Sequence, residues 1–415
     1  MSITSALSIV HPITLSHGLN ATVWDESGRA YIDFVGGIGV LNLGHCNPKI
    51  VSAITEQVQK LTHYAYNAVP HGQYQKAMDA LAKFIPTEQP MMGMFTNCGA
   101  EATEIALKIA RLQTKRTGVI AFDGGFHGRT LAALNLNGKV APYKQGVGPL
   151  PGPVYHLPFP SQDTGVSAAD AKAALARLLS VEVDVQNIAC IFVEPVQGEA
   201  GFQLFDREFA QYLREFCDQH GILLVLDEIQ SGFGRTGKRF GFEHLGIEPD
   251  LLLLAKSIAG GMPLGAVMGK EHLMNNLPKG SLGGTYSGNP VACAAALATM
   301  EIMSDAEQLA QWNQQYTQTI EKYHAQWQAE GLTCVGPLTG VDAMRGITLL
   351  NQDGSAGTEV LAKVLKSARE RGLLLMPSGK SRNIIRLLAP LTIEPETLEQ
   401  GLNILGECLA EAIHQ

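Results

Sequence analysis

Leu251-Leu-Leu-Leu-Ala255, followed directly by Lys256-Ser-Ile-Ala-Gly-Gly261, is the stretch from which the rest of the chain can be read. The apolar run reads as a buried strand that delivers Lys256 into a small, glycine-rich turn. An amine at that point is badly placed for hydration. Desolvation favours its neutral form, and a neutral amine is a nucleophile able to form a Schiff base. Taken alone, such a lysine more often snorkels to the surface than reacts.

Asp227 changes the weighing, because it closes a second apolar run, Ile222-Leu-Leu-Val-Leu226. A carboxylate and a lysine, each at the C-terminal end of a buried parallel strand, suit a site for pyridoxal 5′-phosphate (PLP). The aspartate would keep a proton on the pyridine nitrogen and the lysine would carry the aldehyde.

A chain of 415 residues exceeds the usual limit of one hydrophobic core, so a large domain with a smaller partner is expected. A hydrophobic fraction of 46% together with 44 glycines fits an α/β enzyme. The net charge of −8, with no Lys/Arg-rich block, argues against nucleic acid and anionic membrane as partners. An acidic substrate would have to be held by a few local arginines. The seven cysteines are scattered and never spaced as CxxC, which argues for a reducing compartment and against a disulfide framework or a zinc site. Residues Met1 to Val10 carry no basic n-region and no run of about 18 apolar residues occurs, so a cytoplasmic protein is expected.

Strand-like pieces at 21–24 and 30–34 flank the turn signal at Glu26-Ser-Gly28. From about residue 48 the pattern alternates between apolar strands (118–122, 188–193, 222–226, 251–255) and helical stretches such as 100–111 and 207–220. That alternation implies a mainly parallel central sheet with helices on both faces. A long Gln-rich helix (about 305–330), strands near 343–350 and 383–388, and a terminal amphipathic helix from Pro395 complete the chain. The expected division is 1–47 and 298–415 as two parts of a small α+β domain, with 48–297 as the large domain inserted between them.

Phe95-Thr-Asn-Cys-Gly-Ala-Glu101 leads into a helix whose apolar face is Ala102, Ile105, Ala106 and Ile109. Gly99 and Ala100 at its start let backbone N–H groups approach an anion, although from this segment alone an ordinary helix capped by Asn97 is the favoured reading. Two glycine-rich stretches mislead. Gly232-Phe-Gly-Arg-Thr-Gly-Lys238 fits GxxxxGK, but Arg239 follows where a nucleotide loop needs Ser or Thr. Gly36-Gly-Ile-Gly39 lacks the third glycine of a dinucleotide fingerprint, since Asn42 stands there.

In combination, Gly36-Gly-Ile-Gly-Val-Leu-Asn-Leu-Gly-His45, Phe126-His-Gly-Arg-Thr130, Glu194-Pro-Val-Gln-Gly-Glu199, Leu226 to Gly237, Ala255 to Gly261 and Gly284 to Pro290 form a specific set. On these motifs the chain resembles the class III PLP-dependent aminotransferases of fold type I, and among them 4-aminobutyrate aminotransferases. The resemblance implies that Lys256 binds the aldehyde and then acts as the proton-moving base. Asp227 would pair with the pyridinium nitrogen, Gln230 with the phenolic oxygen, and Phe126 would stack on the ring. Gly99 and Ala100 would hold the phosphate, with Thr285 reaching that of a neighbouring subunit. A homodimer or tetramer with interfacial active sites follows. Cys98 stands where the family more often has Ser.

For substrate, the resemblance implies Arg129 for the distal carboxylate and Arg386 for the α-carboxylate of glutamate or 2-oxoglutarate. Glu199 would pair with Arg386 while an ω-amino substrate is bound, and Glu194 and Ile38 would line the site beside them. The implied reaction moves an amine from an ω-amino acid, 4-aminobutyrate first, to 2-oxoglutarate. Donors such as 5-aminovalerate, 2-aminoadipate, acetylornithine or putrescine stay open, with Tyr64, Tyr66 and Asn67 placed where the family lines its pocket. A PLP-dependent racemase and a nucleotide-binding protein are the rival readings.

Overall fold

The central sheet is dry on both sides, and this dictates which residues its strands contain. The computed structural model describes residues 2–414, without the side chain of His414; Met1 and Gln415, the outer ends of the two small-domain segments expected above, lie outside. Seven strands build the sheet: β1 (Met91–Thr96), β2 (Gly118–Phe122), β3 (Val154–Leu157), β4 (Ile188–Val193), β5 (Leu223–Asp227), β6 (Leu251–Leu254) and β7 (Gly265–Lys270). Their spatial order is β1-β7-β6-β5-β4-β2-β3. Only β7 runs antiparallel to its neighbours; the pairs from β6 across to β3 are parallel.

Leu252 and Leu254 of β6 join the apolar layer that contains Leu81, Phe209 and Leu213, whereas Leu251 and Leu253 join the layer of Ala106, Leu107 and Ile109. The same alternation holds along β5, with Leu224 and Leu226 on one side and Val225 on the other. Because both faces are covered by helices, polar side chains are excluded until the strands end. Burying each leucine contributes roughly 1.5–3 kcal/mol. The first polar groups after the dry interior are Asp227 and Lys256, at the carboxyl edge where ligands of open α/β sheets bind.

The two ends of the chain meet. Strands Leu15–Leu19, Thr22–Asp25 and Ala30–Asp33 form an antiparallel meander, and Leu373–Leu374 adds to it in parallel, with Leu373 opposite Ile32. A second small sheet orders Val335–Val341, Met344–Leu349, Ile384–Leu387 and Met376–Ser378. The long helix Ala306–Ala329 starts at Asp305, whose carboxylate accepts from the Gln308 N–H at 3.0 Å. It buries Leu309, Tyr316, Ile320, Tyr323 and Trp327 on its inner face.

The GxxxxGK stretch wraps a buried cation. Arg235 is fully buried, and its Nε and Nη2 donate to Asn42 Oδ1 at 3.1 and 2.7 Å. Its Nη1 donates to the carbonyls of Ala389 (2.9 Å) and Ala343 (3.3 Å). One side chain thus ties the N-terminal motif, the large sheet's loop and the C-terminal strands together. Among the described residues no helix is long and apolar enough to cross a membrane.

Candidate active site

Lys256 lies one residue beyond β6, after Ala255, and opens a short 3-10 turn, Lys256–Ala259, that Gly260 ends. Its φ is +47°, a left-handed conformation that costs a non-glycine residue of order 1–3 kcal/mol and recurs at functional sites. Desolvation lowers its amine from 10.5 to about 8, against the opposing pull of Glu199, Asp227 and Glu194. Asp227 is the last residue of β5 and is buried. Its Oδ1 accepts from the Ile229 N–H at 3.1 Å, and its Oδ2 from His127 Nδ1 at 2.7 Å. Burial alone would lower the His127 pKa, but the hydrogen bond and the charges of Asp227 and Glu194 outweigh it and raise the value. The sequence reading passed over His127; its only signal was its place beside Phe126 in Phe126-His-Gly-Arg.

The helix Gly99–Thr114 points its N-terminus at this region. Its N-cap is Cys98, with no side chain bonded to the first turn, rather than Asn97. Asn97 is instead drawn to Glu101, which accepts from its backbone N–H at 2.8 Å. A Cβ on Gly99 would lie 2.7 Å from Ile229 Cδ1, and one on Gly128 would lie 2.8 Å from Ala100 Cβ. The close approach packs the Phe126-to-Arg129 segment against the helix start. Glu194, buried, accepts from the Phe126 N–H at 3.0 Å and so fixes the ring's backbone; desolvation pushes its carboxyl up to about 7. Gln230 is buried with no partner for its Oε1 among the described residues.

Gly36, Gly37, Ile38 and Gly39 all have positive φ (52°, 63°, 65° and 71°), forming one left-handed turn. A β-branched residue such as Ile38 is strained there. A Cβ on Gly36 would meet the Leu388 carbonyl at 2.4 Å, so bare backbone is required there, whereas at Gly39 the positive φ rather than crowding favours glycine. Ser257 Oγ donates to the Gly39 carbonyl at 3.2 Å, joining the turn to the segment after Lys256. Ile38 itself is 41% exposed.

Arg386, on Ile384–Leu387, has a fully buried side chain, and its Nη1 lies 2.7 Å from Glu199 Oε1. Its Nε has no partner among the described residues. Burial would raise the Glu199 pKa, but Arg386 beside it holds the carboxyl below the usual range. Arg129 is exposed, with no carboxylate of the described residues within salt-bridge range; its guanidinium lies over the rings of Tyr143 (4.9 Å) and Phe126 (5.9 Å). Thr285 sits apart on an exposed loop with Tyr286.

The aminotransferase class-III family model matches residues 5–409. The chain belongs to the class III aminotransferases. This class III chain is 65% identical over 99% of its length to a 2-aminoadipate transaminase of Pseudomonas putida, 99% of which is covered. It is 43% identical over 97% of its length to a 5-aminovalerate aminotransferase of Pseudomonas aeruginosa, covering 94% of that protein. Its structure superposes on the ornithine aminotransferase of Toxoplasma gondii, which has partial occupancy of PLP at its active site, with a TM-score of 0.85 at 26% identity, covering all of this chain and 93% of the other.

PLP is the cofactor of this class III aminotransferase, and the residues present fit it. The uncapped start of the Gly99 helix suits a phosphate. Gln230 Oε1 has no partner among the described residues, and Asp227 carries a carboxylate already steadied by His127.

Proposed function

We propose that this class III aminotransferase moves the amine of 2-aminoadipate to 2-oxoglutarate, giving 2-oxoadipate and glutamate. The observation that carries this reading is the pair of guanidiniums. Among the described residues no carboxylate pairs with Arg129, and Arg386 is held by a single exchangeable one, Glu199 at 2.7 Å. A substrate with two carboxylates satisfies both, each by a charge-assisted and often bidentate pair. The likeness to a 2-aminoadipate transaminase supports this donor ahead of 4-aminobutyrate.

Bound PLP supplies an electron sink that acidifies the substrate's Cα–H. Around it, Lys256 Nζ takes that proton in its neutral form. Asp227 would hold a proton on the pyridine nitrogen, with His127 donating to its far carboxylate oxygen. Gly99 and Ala100 N–H groups, with Thr285 of a second copy, would hold the phosphate, while Gln230 and Phe126 would serve the ring oxygen and the ring face. Glu194 fixes Phe126, and Ile38 lines the substrate side. A homodimer is supported by the exposure of Tyr286 (64%) and Tyr64 (47%), which a second copy would cover. Seven free cysteines support a cytoplasmic setting.

The Glu199–Arg386 pair favours a second reading, in which ω-amino acids such as 5-aminovalerate or 4-aminobutyrate also serve. Without an α-carboxylate, they would leave Arg386 unpaired and costly unless Glu199 stayed in place. The test is glutamate formed from fixed 2-oxoglutarate with 2-aminoadipate, 5-aminovalerate, 4-aminobutyrate, acetylornithine or putrescine. 2-Aminoadipate is expected to give the highest kcat/KM. Arg129→Ala is expected to hurt every carboxylated donor far more than putrescine. Putrescine leading the panel, or equal losses in Arg129→Ala, would overturn the two-carboxylate site.

A further inference from the structure

Tyr143 touches both ends of the substrate pocket. Its ring lies under the Arg129 guanidinium at 4.9 Å and packs against Phe126 at 5.2 Å between centroids. Its hydroxyl reaches Glu199 Oε2 at 3.5 Å. That distance is at the outer limit of a hydrogen bond, whereas Glu199 Oε1 binds Arg386 at 2.7 Å. In this state, therefore, the carboxylate belongs to Arg386 and is barely held by the tyrosine.

The balance changes when a substrate's α-carboxylate takes Arg386. Glu199 then loses its cation while its side chain stays largely enclosed, at 29% exposure. An ionised carboxylate so placed needs a donor. Among the described residues, the Tyr143 hydroxyl is the side-chain donor within reach other than Arg386. Lys256 and then Lys139 add favourable charge at longer range, but neither lies within hydrogen-bond distance of Glu199, and Lys139 Nζ is directed to the Lys380 carbonyl at 3.5 Å. A hydroxyl that moves onto a carboxylate closes to about 2.5–2.7 Å. We propose that Tyr143 is the positioning residue that receives Glu199 when it leaves Arg386, and that it thereby sets the preference for substrates with an α-carboxylate over those without. The contact is weak in the closed arrangement and strong in the open one, and only such a difference shifts a two-state balance. Arg129, bearing the distal carboxylate, braces the same ring, so both ends of a dicarboxylate rest on one support.

This inference rests on the exchange of Glu199 described under the proposed function, and the experiment separates the two. Single-turnover half-reactions of the PLP-loaded enzyme are followed by cofactor absorbance, with glutamate or 2-aminoadipate against 5-aminovalerate. Tyr143→Phe keeps the ring and removes only the hydroxyl. The loss with glutamate and 2-aminoadipate is expected to exceed the loss with 5-aminovalerate by roughly 10-fold or more, the worth of a hydrogen bond to a charged group. Glu199→Gln is expected to impair 5-aminovalerate more than glutamate, and to abolish the discrimination caused by Tyr143→Phe in the double variant. If Glu199→Gln treats both substrates alike, the exchange and the tyrosine's part in it both fail. If Glu199→Gln discriminates and Tyr143→Phe does not, only the assignment of Tyr143 is overturned.

Discussion

Replacing His127 probes how firmly Asp227 must be held. The imidazole Nδ1 donates to Asp227 Oδ2 at 2.7 Å, and both side chains are buried, so water cannot substitute. His127→Leu removes a charge-assisted hydrogen bond worth about 1.5–3 kcal/mol, which at 1.4 kcal/mol per decade is roughly 10- to 150-fold in kcat/KM. His127→Asn offers an amide N–H near the same position and keeps a neutral hydrogen bond, so its loss is expected to be several-fold smaller. The assay is transaminase kcat/KM together with retention of cofactor absorbance after dialysis. A His127→Leu enzyme within twofold of the parent would refute the argument that His127 steadies the ring-facing carboxylate. The same pair sets a pH dependence. The folded pKa of His127 is raised above its ordinary 6.5, so the stabilisation from the charged pair is complete below 6.5 and fades as pH rises through the raised value. His127→Leu is expected to flatten that part of the stability profile.

Two further outcomes follow from the geometry. Because burial lowers Lys256 to about 8, covalent capture of PLP by cofactor-free enzyme is expected to accelerate as pH rises through about 8 and then level off. Borohydride fixation would measure it, and Lys256→Ala should fix none; a rate still climbing at pH 10 would contradict the lowered value. Asn42→Ala strips Arg235 of the acceptor that takes both its Nε and Nη2, leaving a buried cation underpaired. A loss of about 1.5–3 kcal/mol in urea unfolding is expected, and the double variant Asn42→Ala/Arg235→Met should recover part of it.

The strands that could be read from sequence are those buried on both faces. Leu251–Leu254, Ile188–Val193 and Gly118–Phe122 are apolar throughout, and nothing but a doubly covered strand accounts for so many adjacent apolar residues in so short a run. Gly265–Lys270 escaped because two glycines and a terminal lysine hide its apolar positions. Met91–Thr96 is interrupted by Gly93 and ends in a polar residue, and Val154–Leu157 carries His156; each follows a proline and shows no clear period. The β5 strand runs one residue later than its apolar content implied, since its last pairing residue is Asp227 itself. Asn97 failed as a cap because the helix starts one residue later and its side-chain amide is bound to the Glu101 carboxylate at 3.0 Å. The arginines and acids of the pocket carry charge, and charge beside a glycine-rich motif is visible in sequence. His127 and Tyr143 act through partners 100 and 56 residues away, and no local pattern encodes such a distance.

The left-handed turn at residues 36–39 has an engineering consequence. Gly36 cannot accept a side chain without colliding with the Leu388 carbonyl, and Gly37 and Gly39 hold positive φ values that strain any side chain, so the turn tolerates variation chiefly at Ile38. On the proposed reading, donor-length selectivity on that side would be concentrated in a single codon. Trimming Ile38 to glycine would widen the opening and also release about 1–2 kcal/mol of backbone strain, so a library at this one site could retune substrate size without eroding thermal tolerance.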